Sequence, residues 1–503
     1  MKGVNPPHPR LLNRKGCIVI PLTYRLRKEV RFERRDDSLL VISDTPLNVV
    51  RVSERGAAIL RSCDGHKNVA AIAADIASLT EEQVFGMLEY FNRKGVLETV
   101  QTENEGYFPA VTVIIPAKDR AEELRGCLES VFAQEYRAGM IEVIVIDDGS
   151  RDETAAVARS FPCRVFSLEK SRGQSFCRNL GAGEGKGEIL AFLDSDCIAA
   201  KTWLRDLVPL FQWGGVGAVG GRVDGYFDRS RLDRYENAFS SLSMGKHMIY
   251  GANDDSLAYA PTCNLLTRKA VYTEIGGIRD DMHVGEDVDF CWRMRARGHA
   301  LLYVPYGAVS HKHRNHLPAM LKRRLEYGTS ESTLYRLHPQ KKKVLPVPVL
   351  SALAFLGLCA SIVLLSFLPL SLCLACFLFD SGSKALRTGR IGIHIPLRKV
   401  AFSVVRTYLS FIYFASFHLV RYYLVAIVLV GLAFHTLWSL ALFFLILSSA
   451  VDHQTKRPAL AYPTFLFFYV LEHIFYQTGV FLGCLRACTF GSYGMRLLIR
   501  LGR

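Results

Sequence analysis

The sequence predicts a central α/β domain, preceded by a small winged-helix-like α+β module and followed by a helical membrane region. Three observations carry that reading. Between residues 111 and 193, short apolar runs alternate with segments of helical period, the pattern of a sheet covered by helices. Two acidic clusters, Asp147-Asp148 and Asp194-Ser195-Asp196, sit just past the ends of two of those runs. Beyond residue 343 apolar stretches dominate, and one of them, 344–379, holds 36 positions without a charge.

Length and charge set the outer bounds. A chain of 503 residues has room for roughly two to four domains. The formal net charge is +15, and its distribution is more informative than its size. From residue 311 to 343 nine Lys/Arg stand against Glu326 and Glu331, directly before the apolar stretch. A basic segment abutting a hydrophobic one reads as cytoplasmic juxtamembrane sequence facing anionic lipid. No recognition-helix, zinc-finger or stacking-platform pattern accompanies the charge, which argues against nucleic acid as a partner. The thirteen cysteines show no disulfide framework and read as reduced thiols. Cys373 and Cys376 have a metal-like spacing but lie inside a lipid-compatible run with no His nearby. The polar, proline-rich start is unlike a secretory signal.

The first domain, 1–100, opens with strand-like pieces at 17–20, 38–42 and 49–52, then helical patterns at 54–61, 69–76 and 81–93. Ser53 and Thr80 are N-cap candidates, Thr80 with Gln83 has the capping-box form, and Gly95 is a helix stop. Such a module commonly binds DNA. A polar linker, 101–108, leads to the second domain, 109–335. Here strands are expected at 111–115, 141–146, 164–168 and 188–193, and helices at 121–134, 153–160 and 175–183. They read as a parallel sheet covered on both faces. Open α/β sheets hold ligands outside the carboxyl ends of their strands, so both acidic clusters should share one crevice. Their oxygens suit a divalent metal and a phosphorylated ligand; helix or turn capping is the alternative for either cluster alone.

The last region, 344–503, is written for lipid. The 344–379 stretch is too long for one crossing of about 20 residues and suits a hairpin broken at Pro369. The 401–420 segment carries Arg406 and His418 and suits the interface, 422–450 is charge-free, and 461–488 is apolar but contains Glu472, His473 and Arg486. Flanking Lys/Arg at 384–399 and at the C-terminus predict an even number of crossings with both ends cytoplasmic.

Five motifs give this frame a chemistry. The 111–119 run with Pro116, Ala117, Lys118 and Asp119, the 145–150 run with Asp147 and Asp148, Arg178-Asn179 with Gly181, the 193–196 run, and 285–290 with Glu286, Asp287 and Asp289 resemble, in order and approximate spacing, family 2 glycosyltransferases. The resemblance implies a GT-A fold, a nucleotide-sugar donor, Mg²⁺ or Mn²⁺, and inversion at the anomeric carbon. The donor leaves as a diphosphate, so charge developing on its oxygens must be neutralised. By resemblance, Asp196 holds the metal, Asp194 meets ribose or metal-bound water, and Asp148 accepts from the base. The Pro116, Ala117 and Lys118 backbone lines the base pocket. Lys118, Arg172 and Arg178 assist the phosphates, a solvated or structural role being the alternative for each. His311 and His313 follow a strand-like run; His313 is the candidate to complete the metal site, and a solvent-facing pair is the other reading. Inverting transfer needs a base opposite the leaving group, which by resemblance is Asp287, with Glu286 as second choice or acceptor-orienting partner. Asp289 fits better as a helix N-terminal acid stabilised by the dipole.

A second resemblance covers the ends. Residues 43–56, from Ser43 and Asp44 to Gly56, look like the small peptide-binding fold of pyrroloquinoline-quinone biosynthesis. Together with a tail containing 477–483, the whole chain resembles the mycofactocin-system glycosyltransferases. That implies a UDP-sugar, UDP-glucose, feeding β-linked glucose to a ribosomal-peptide-derived redox cofactor or its precursor peptide. A winged module can hold an extended peptide by strand addition and raise its local concentration. No Gln-x-x-Arg-Trp pattern follows the acidic helix, which argues against a processive polysaccharide synthase. The expectation is a hexosyltransferase of the inner (plasma) membrane with a cytoplasmic catalytic domain. Two competitors stand beside it: transfer to a lipid phosphate or cell-surface glycan, and a non-catalytic, membrane-tethered peptide-binding protein.

Overall fold

A computed structural model describes residues 22–500 except 36–37, 45–46, 77, 102–105, 213–214, 247, 252–256, 314 and 391–394. The strand expected at 17–20 and part of the 101–108 linker lie outside the described residues. In the N-terminal unit, helices Glu54–Ser62, Val69–Asp75 and Glu81–Arg93 form where periodicity and caps place them. Ser53 Oγ accepts from the Gly56 N–H, and Thr80 and Gln83 close a capping box. An antiparallel meander, Val30–Arg35, Ser38–Asp44 and Leu47–Val52, precedes them. A second sheet sets Leu22–Leu26 between Asp64–Asn68 and Leu97–Gln101. Asp64–Asn68 reads Asp-Gly-His-Lys-Asn and carries no strand pattern of its own; pairing with Leu22–Leu26 makes it a strand. The core of this unit, with Tyr24, Leu60 and Leu88, runs without a break into that of the second domain.

The central sheet has eight strands in the order Ile249–Gly251, Ala300–Tyr303, Val216–Gly220, Asn264–Arg268, Ile189–Leu193, Val111–Ala117, Ile141–Asp147, Arg164–Ser167. The four strands foreseen in the first half are present and parallel. The strands after residue 193 make the whole sheet mixed: Asn264–Arg268 runs antiparallel between two of its neighbours, and Ile249–Gly251 antiparallel at one edge. A buried strand is apolar in either direction, so periodicity does not encode its sense. A smaller sheet, Cys197–Ala199, Val309–His311 and Val223–Gly225, lies beside the main one and sets Cys197 opposite His311. That pairing carries a histidine from residue 311 to the second acidic cluster.

Between residues 349 and 487 the described chain is mostly helical, with Val349–Leu364, Leu370–Arg390, Leu397–Val430, Thr436–Lys456 and Tyr462–Ala487, and a closing strand, Met495–Arg500, pairs parallel with Lys343–Pro348. The last three helices are long and apolar enough to cross a membrane. Large apolar side chains such as Leu356, Phe367, Leu378, Phe402 and Leu442 point outward, as a lipid-facing surface requires. Val349–Leu364 and Leu370–Arg390 pack as a hairpin that turns at 365–369, but neither is among the helices long and apolar enough to cross, so the expected pair of crossings is not seen there. The expected division at residue 421 does not: 401–420 and the residues after it make one continuous helix, and the chain turns at 431–435 instead. Gly431 packs against the Trp438 indole there. Arg421 stays inside the helix because Glu472 pairs with it at 3.3 Å.

Tyr462–Ala487 lies along the helix Leu317–Leu337. A Cβ at Gly479 would strike the Leu325 carbonyl, and one at Gly483 the Thr329 carbonyl, while Gly328 faces them from the other helix. Glycines four apart are how helix backbones approach closely. Buried ion pairs fasten the same contact, with Arg324 reaching Glu236 at 2.6 Å and Glu472 at 3.4 Å. The apolar helices are thereby joined directly to the central domain.

Candidate functional site

Strand ends build one side of the site. Asp147 and Asp148 close Ile141–Asp147, and the Asp148 N–H donates to the Ala117 carbonyl at 2.8 Å, fixing the two strand ends together. The Asp148 carboxylate, 6% exposed, accepts from Ser171 Oγ at 2.7 Å, the Arg172 N–H at 2.6 Å and the Gly173 N–H at 3.0 Å. Gly149 has φ +68, and a Cβ there would press on the Lys170–Ser171 backbone, so the loop closes around Asp148 only with glycine at this point. Asp119 also holds a left-handed conformation, φ 50, with its N–H on Ser150 Oγ and its carboxylate accepting from the Arg151 N–H.

These ends open into a cavity of about 570 Å³ lined by Pro116, Ala117, Lys118, Asp148, Asp194, Asp196, His311 and His313, among others. A donor carboxylate of Asp196, the Cys197 thiol and a ring nitrogen of His311 lie within 4.8 Å of one another. Burial pushes the Cys197 thiol far up, so carboxylate and imidazole are the donors this group can offer a cation. His311 Nε2 sits 3.4 Å from Asp196 Oδ1, and its Nδ1 is 3.1 Å from His313 Nδ1. Burial, with His311 and Arg324 nearby, pushes His313 down to about 3, so it remains neutral. The residue beside Asp196 is thus His311, with His313 behind it, because register puts residue 311 opposite residue 197.

The expected phosphate-assisting arginines have other partners. Arg172 lies over the Phe176 ring at 3.5 Å. Arg178 is 1% exposed and spans two carboxylates, with Nη2 on Asp194 at 2.6 Å and Nη1 on Glu286 at 3.2 Å. Desolvation works against its charge, but Asp194 and Glu286 outweigh it and hold the guanidinium firmly protonated. Asp194 is therefore engaged by Arg178 rather than grouped with the Asp196 donors.

The other side of the site starts at a helix N-terminus. Gly285, φ +84, turns the chain into Glu286–Ala296. Glu286 accepts from Gln174 Nε2 at 2.8 Å as well as from Arg178. Among the described residues, Asp287 has only the Val288 N–H on its Oδ1, at 2.8 Å. Desolvation first, then the neighbouring Glu286, pushes its carboxyl up to about 7, where proton exchange near neutral pH is easiest. Asp289 is different: His338 Nε2 at 2.8 Å and Arg293 Nε at 2.7 Å overcome its desolvation and hold it low. It anchors the helix.

Asp287, Glu286 and Arg178 line a second cavity, of about 320 Å³. Gln174, Asp194, Arg323 and Tyr327 line both cavities, so the two adjoin. Sequence reading overlooked much of the second wall: Trp292, Tyr335, Lys343, Arg421, Tyr422 and Tyr476. One signal was available, since an arginine within an apolar helix marks a functional position by default.

Residues 112–276 match the Glycosyl transferase family 2 model. The Pre-mycofactocin glycosyltransferase of Mycobacterium tuberculosis is 32% identical over 235 residues, 46% of this chain and 48% of that protein. Glycosyltransferase AglE of Haloferax volcanii is 34% identical over 202 residues, 39% of this chain and 64% of that protein. The chain spans about half the length of the first of these relatives. Among solved structures, the mannosyltransferase PcManGT from Pyrobaculum calidifontis, in complex with GDP-Man and Mn²⁺, covers 60% of this chain and 88% of its own at 18% identity, with a TM-score of 0.38. The stretch that matches the Glycosyl transferase family 2 model, 112–276, thus lies in the middle of the chain, ahead of its apolar helices.

Proposed function

We propose that the chain is a membrane-bound, inverting glycosyltransferase that moves a hexose, glucose in β linkage, from a UDP-sugar to mycofactocin, a ribosomal-peptide-derived redox cofactor, or to its precursor. The adjacency of two unlike cavities supports this most: one bears the Asp148 and Asp196 carboxylates, the other an Asp287 carboxyl pushed up to about 7. The larger takes the nucleotide diphosphate, with the Pro116–Lys118 edge and Asp148 on the base side and Asp194 toward the ribose. A divalent cation, Mg²⁺ or Mn²⁺, held by Asp196 and His311 would supply positive charge to the diphosphate oxygens. Asp287 takes the proton of the acceptor hydroxyl, whose oxygen bonds to the anomeric carbon as that carbon's bond to the diphosphate breaks. UDP leaves with the bonding pair, on the face opposite attack. Glu286, held by Gln174 and Arg178, orients the acceptor and by its charge keeps Asp287 basic.

The Mycobacterium tuberculosis relative's name supports the acceptor class. In this reading residues 1–100 hold peptide, 109–335 catalyse, and 344–503 sit in the inner membrane, with the basic 311–343 segment on the cytoplasmic leaflet. A second reading, transfer to a lipid phosphate, draws on the apolar helices that wall the smaller cavity. Mass spectrometry of cofactor extracts decides between them. Hexose increments should be present with the wild-type gene and absent both without it and with Asp287→Asn; increments that survive gene loss would refute the proposal.

A further inference from the structure

Three C-terminal helices have the length to cross a bilayer, but their contacts do not suit a crossing. The chain enters the helical region through Lys343–Pro348 and leaves it through Met495–Arg500, and these two strands pair along their whole length. Three crossings between them, an odd number, would leave the two strands on opposite faces.

The longest helix touches one body of the protein at two distant points. Ile395, just before Leu397–Val430, packs on Leu40 and Ile42 of the N-terminal unit. Further along, Arg421 reaches Glu472 at 3.3 Å and Tyr422 donates to Glu331 at 3.1 Å. From residue 397 to 421 a helix covers about 36 Å, more than the ~30 Å hydrocarbon core. Spanning there would set the N-terminal unit and the central domain on opposite faces. Yet the two share one core, with Phe85 edge-on to Tyr250 at 5.4 Å.

Tyr462–Ala487 likewise stays on the central domain. Phe465 meets Tyr235, Tyr469 meets Phe239, Glu472 meets Arg324, and Gly479 and Gly483 lie against the Leu325 and Thr329 carbonyls. Residues 465 to 483 cover about 27 Å, alongside a helix that lines both cavities and must therefore stay in reach of water. Thr436–Lys456 ends with Lys456 over the Phe239 ring at 3.7 Å. What is left exposed suits half a bilayer. In Leu370–Arg390 the charge-free part stops before Asp380, which pairs with Lys384 at 3.0 Å, so it reaches only about 15 Å. At the hairpin turn Leu365, Phe367 and Leu368 are 81%, 87% and 79% exposed. Exposed Arg390 and Arg398 follow the hairpin, where anionic headgroups would meet them.

We propose that the helices of 349–487 cross no bilayer and instead form an in-plane platform sunk into a single leaflet of anionic lipid, with the 365–369 turn as its deepest point. This placement does not depend on the glycosyl-transfer reading.

A membrane-impermeant maleimide, applied to spheroplasts and to inverted vesicles containing the full-length chain, tests it. Arg125→Cys marks the face that carries the central domain. Native Cys488, which is exposed, reports the end of the last helix; Phe367→Cys and His435→Cys, made like Arg125→Cys in a Cys488→Ser chain, report the hairpin turn and the turn between two long helices. Each should label from the face of Arg125→Cys or, where acyl chains cover it, from neither. Labelling of any one from the opposite face overturns the proposal. Purified protein and vesicles of phosphatidylglycerol and phosphatidylethanolamine give a second reading. Phe367→Ser should weaken partitioning about tenfold or more, the effect of withdrawing one large side chain from hydrocarbon, with unfolding in detergent unchanged. Partitioning indifferent to that substitution would also overturn it.

Discussion

The two cavities share Asp194 and Arg178's reach, yet they are built on opposite plans. The larger is made of strand ends: Asp148 is saturated by three donors from one loop, and Asp196 meets His311 through a fixed strand register. The smaller is made of a helix N-terminus, the Leu317–Leu337 helix and two apolar helices from the far end of the chain. Asp148 has its oxygens taken up by donors, whereas Asp287, with one donor and beside Glu286, is pushed up to about 7, where proton exchange is easiest. Under the proposed function, the contrast puts donor binding on the sheet and makes acceptor chemistry depend on how the apolar helices dock.

The largest test removes what the two sides share. Arg178→Met leaves Asp194 and Glu286 facing each other without their cation, an effect of about 3–5 kcal/mol. Thermal unfolding in detergent should record it, with UDP binding and transfer lost together. Arg178→Lys should not restore them, because one ammonium does not reproduce a fork that spans two carboxylates.

The acidic chemistry of the smaller side should show in pH. With Asp287 pushed up to about 7, kcat/KM should fall about tenfold per unit below that value. Stability runs the other way. The folded protein binds this proton more tightly than an unfolded carboxyl does, so the contribution is fully present below the ordinary carboxylate range and is lost as pH rises through about 7. Asp287→Asn should therefore unfold at a higher temperature than wild type at pH 8, and the difference should shrink towards pH 4; scanning calorimetry at both values checks it.

A substitution at the helix contact separates the sides further. Gly479→Val, where a Cβ meets the Leu325 carbonyl, should cost about 1–3 kcal/mol as overpacking. Acceptor turnover should drop while UDP affinity stays; equal loss of both would mean that the docked helix also supports the strand-end cavity. The smallest effect is expected from Thr80→Ala, which removes a capping box and about 1 kcal/mol of stability. Both cavities should function as before at temperatures where the protein is folded.

How far the sequence could be read follows from the same contrast. Asp148, Asp194 and Asp196 were legible because each directly follows an apolar strand, and topology places strand ends together. Ser53, Thr80 and Gln83 were legible because capping is a local pattern. The antiparallel sense of Asn264–Arg268 was not, since direction leaves no mark on apolar periodicity. Nor was His311 separable from His313, because strand register alone brings it to Asp196. Tyr422 and Tyr476 reach the site only through tertiary docking, and in the sequence they are two aromatics among many. Arg178 was visible as a motif residue, but its burial between Asp194 and Glu286 depends on a helix that begins more than a hundred residues later.

The division of labour is tested most directly by measuring UDP affinity and single-turnover transfer side by side on Asp287→Asn. The account predicts a UDP dissociation constant within about twofold of wild type and transfer slowed by about 10²–10⁴, the usual contribution of a general base. Transfer at the wild-type rate, or UDP binding lost along with it, would contradict the assignment of Asp287 to the acceptor side.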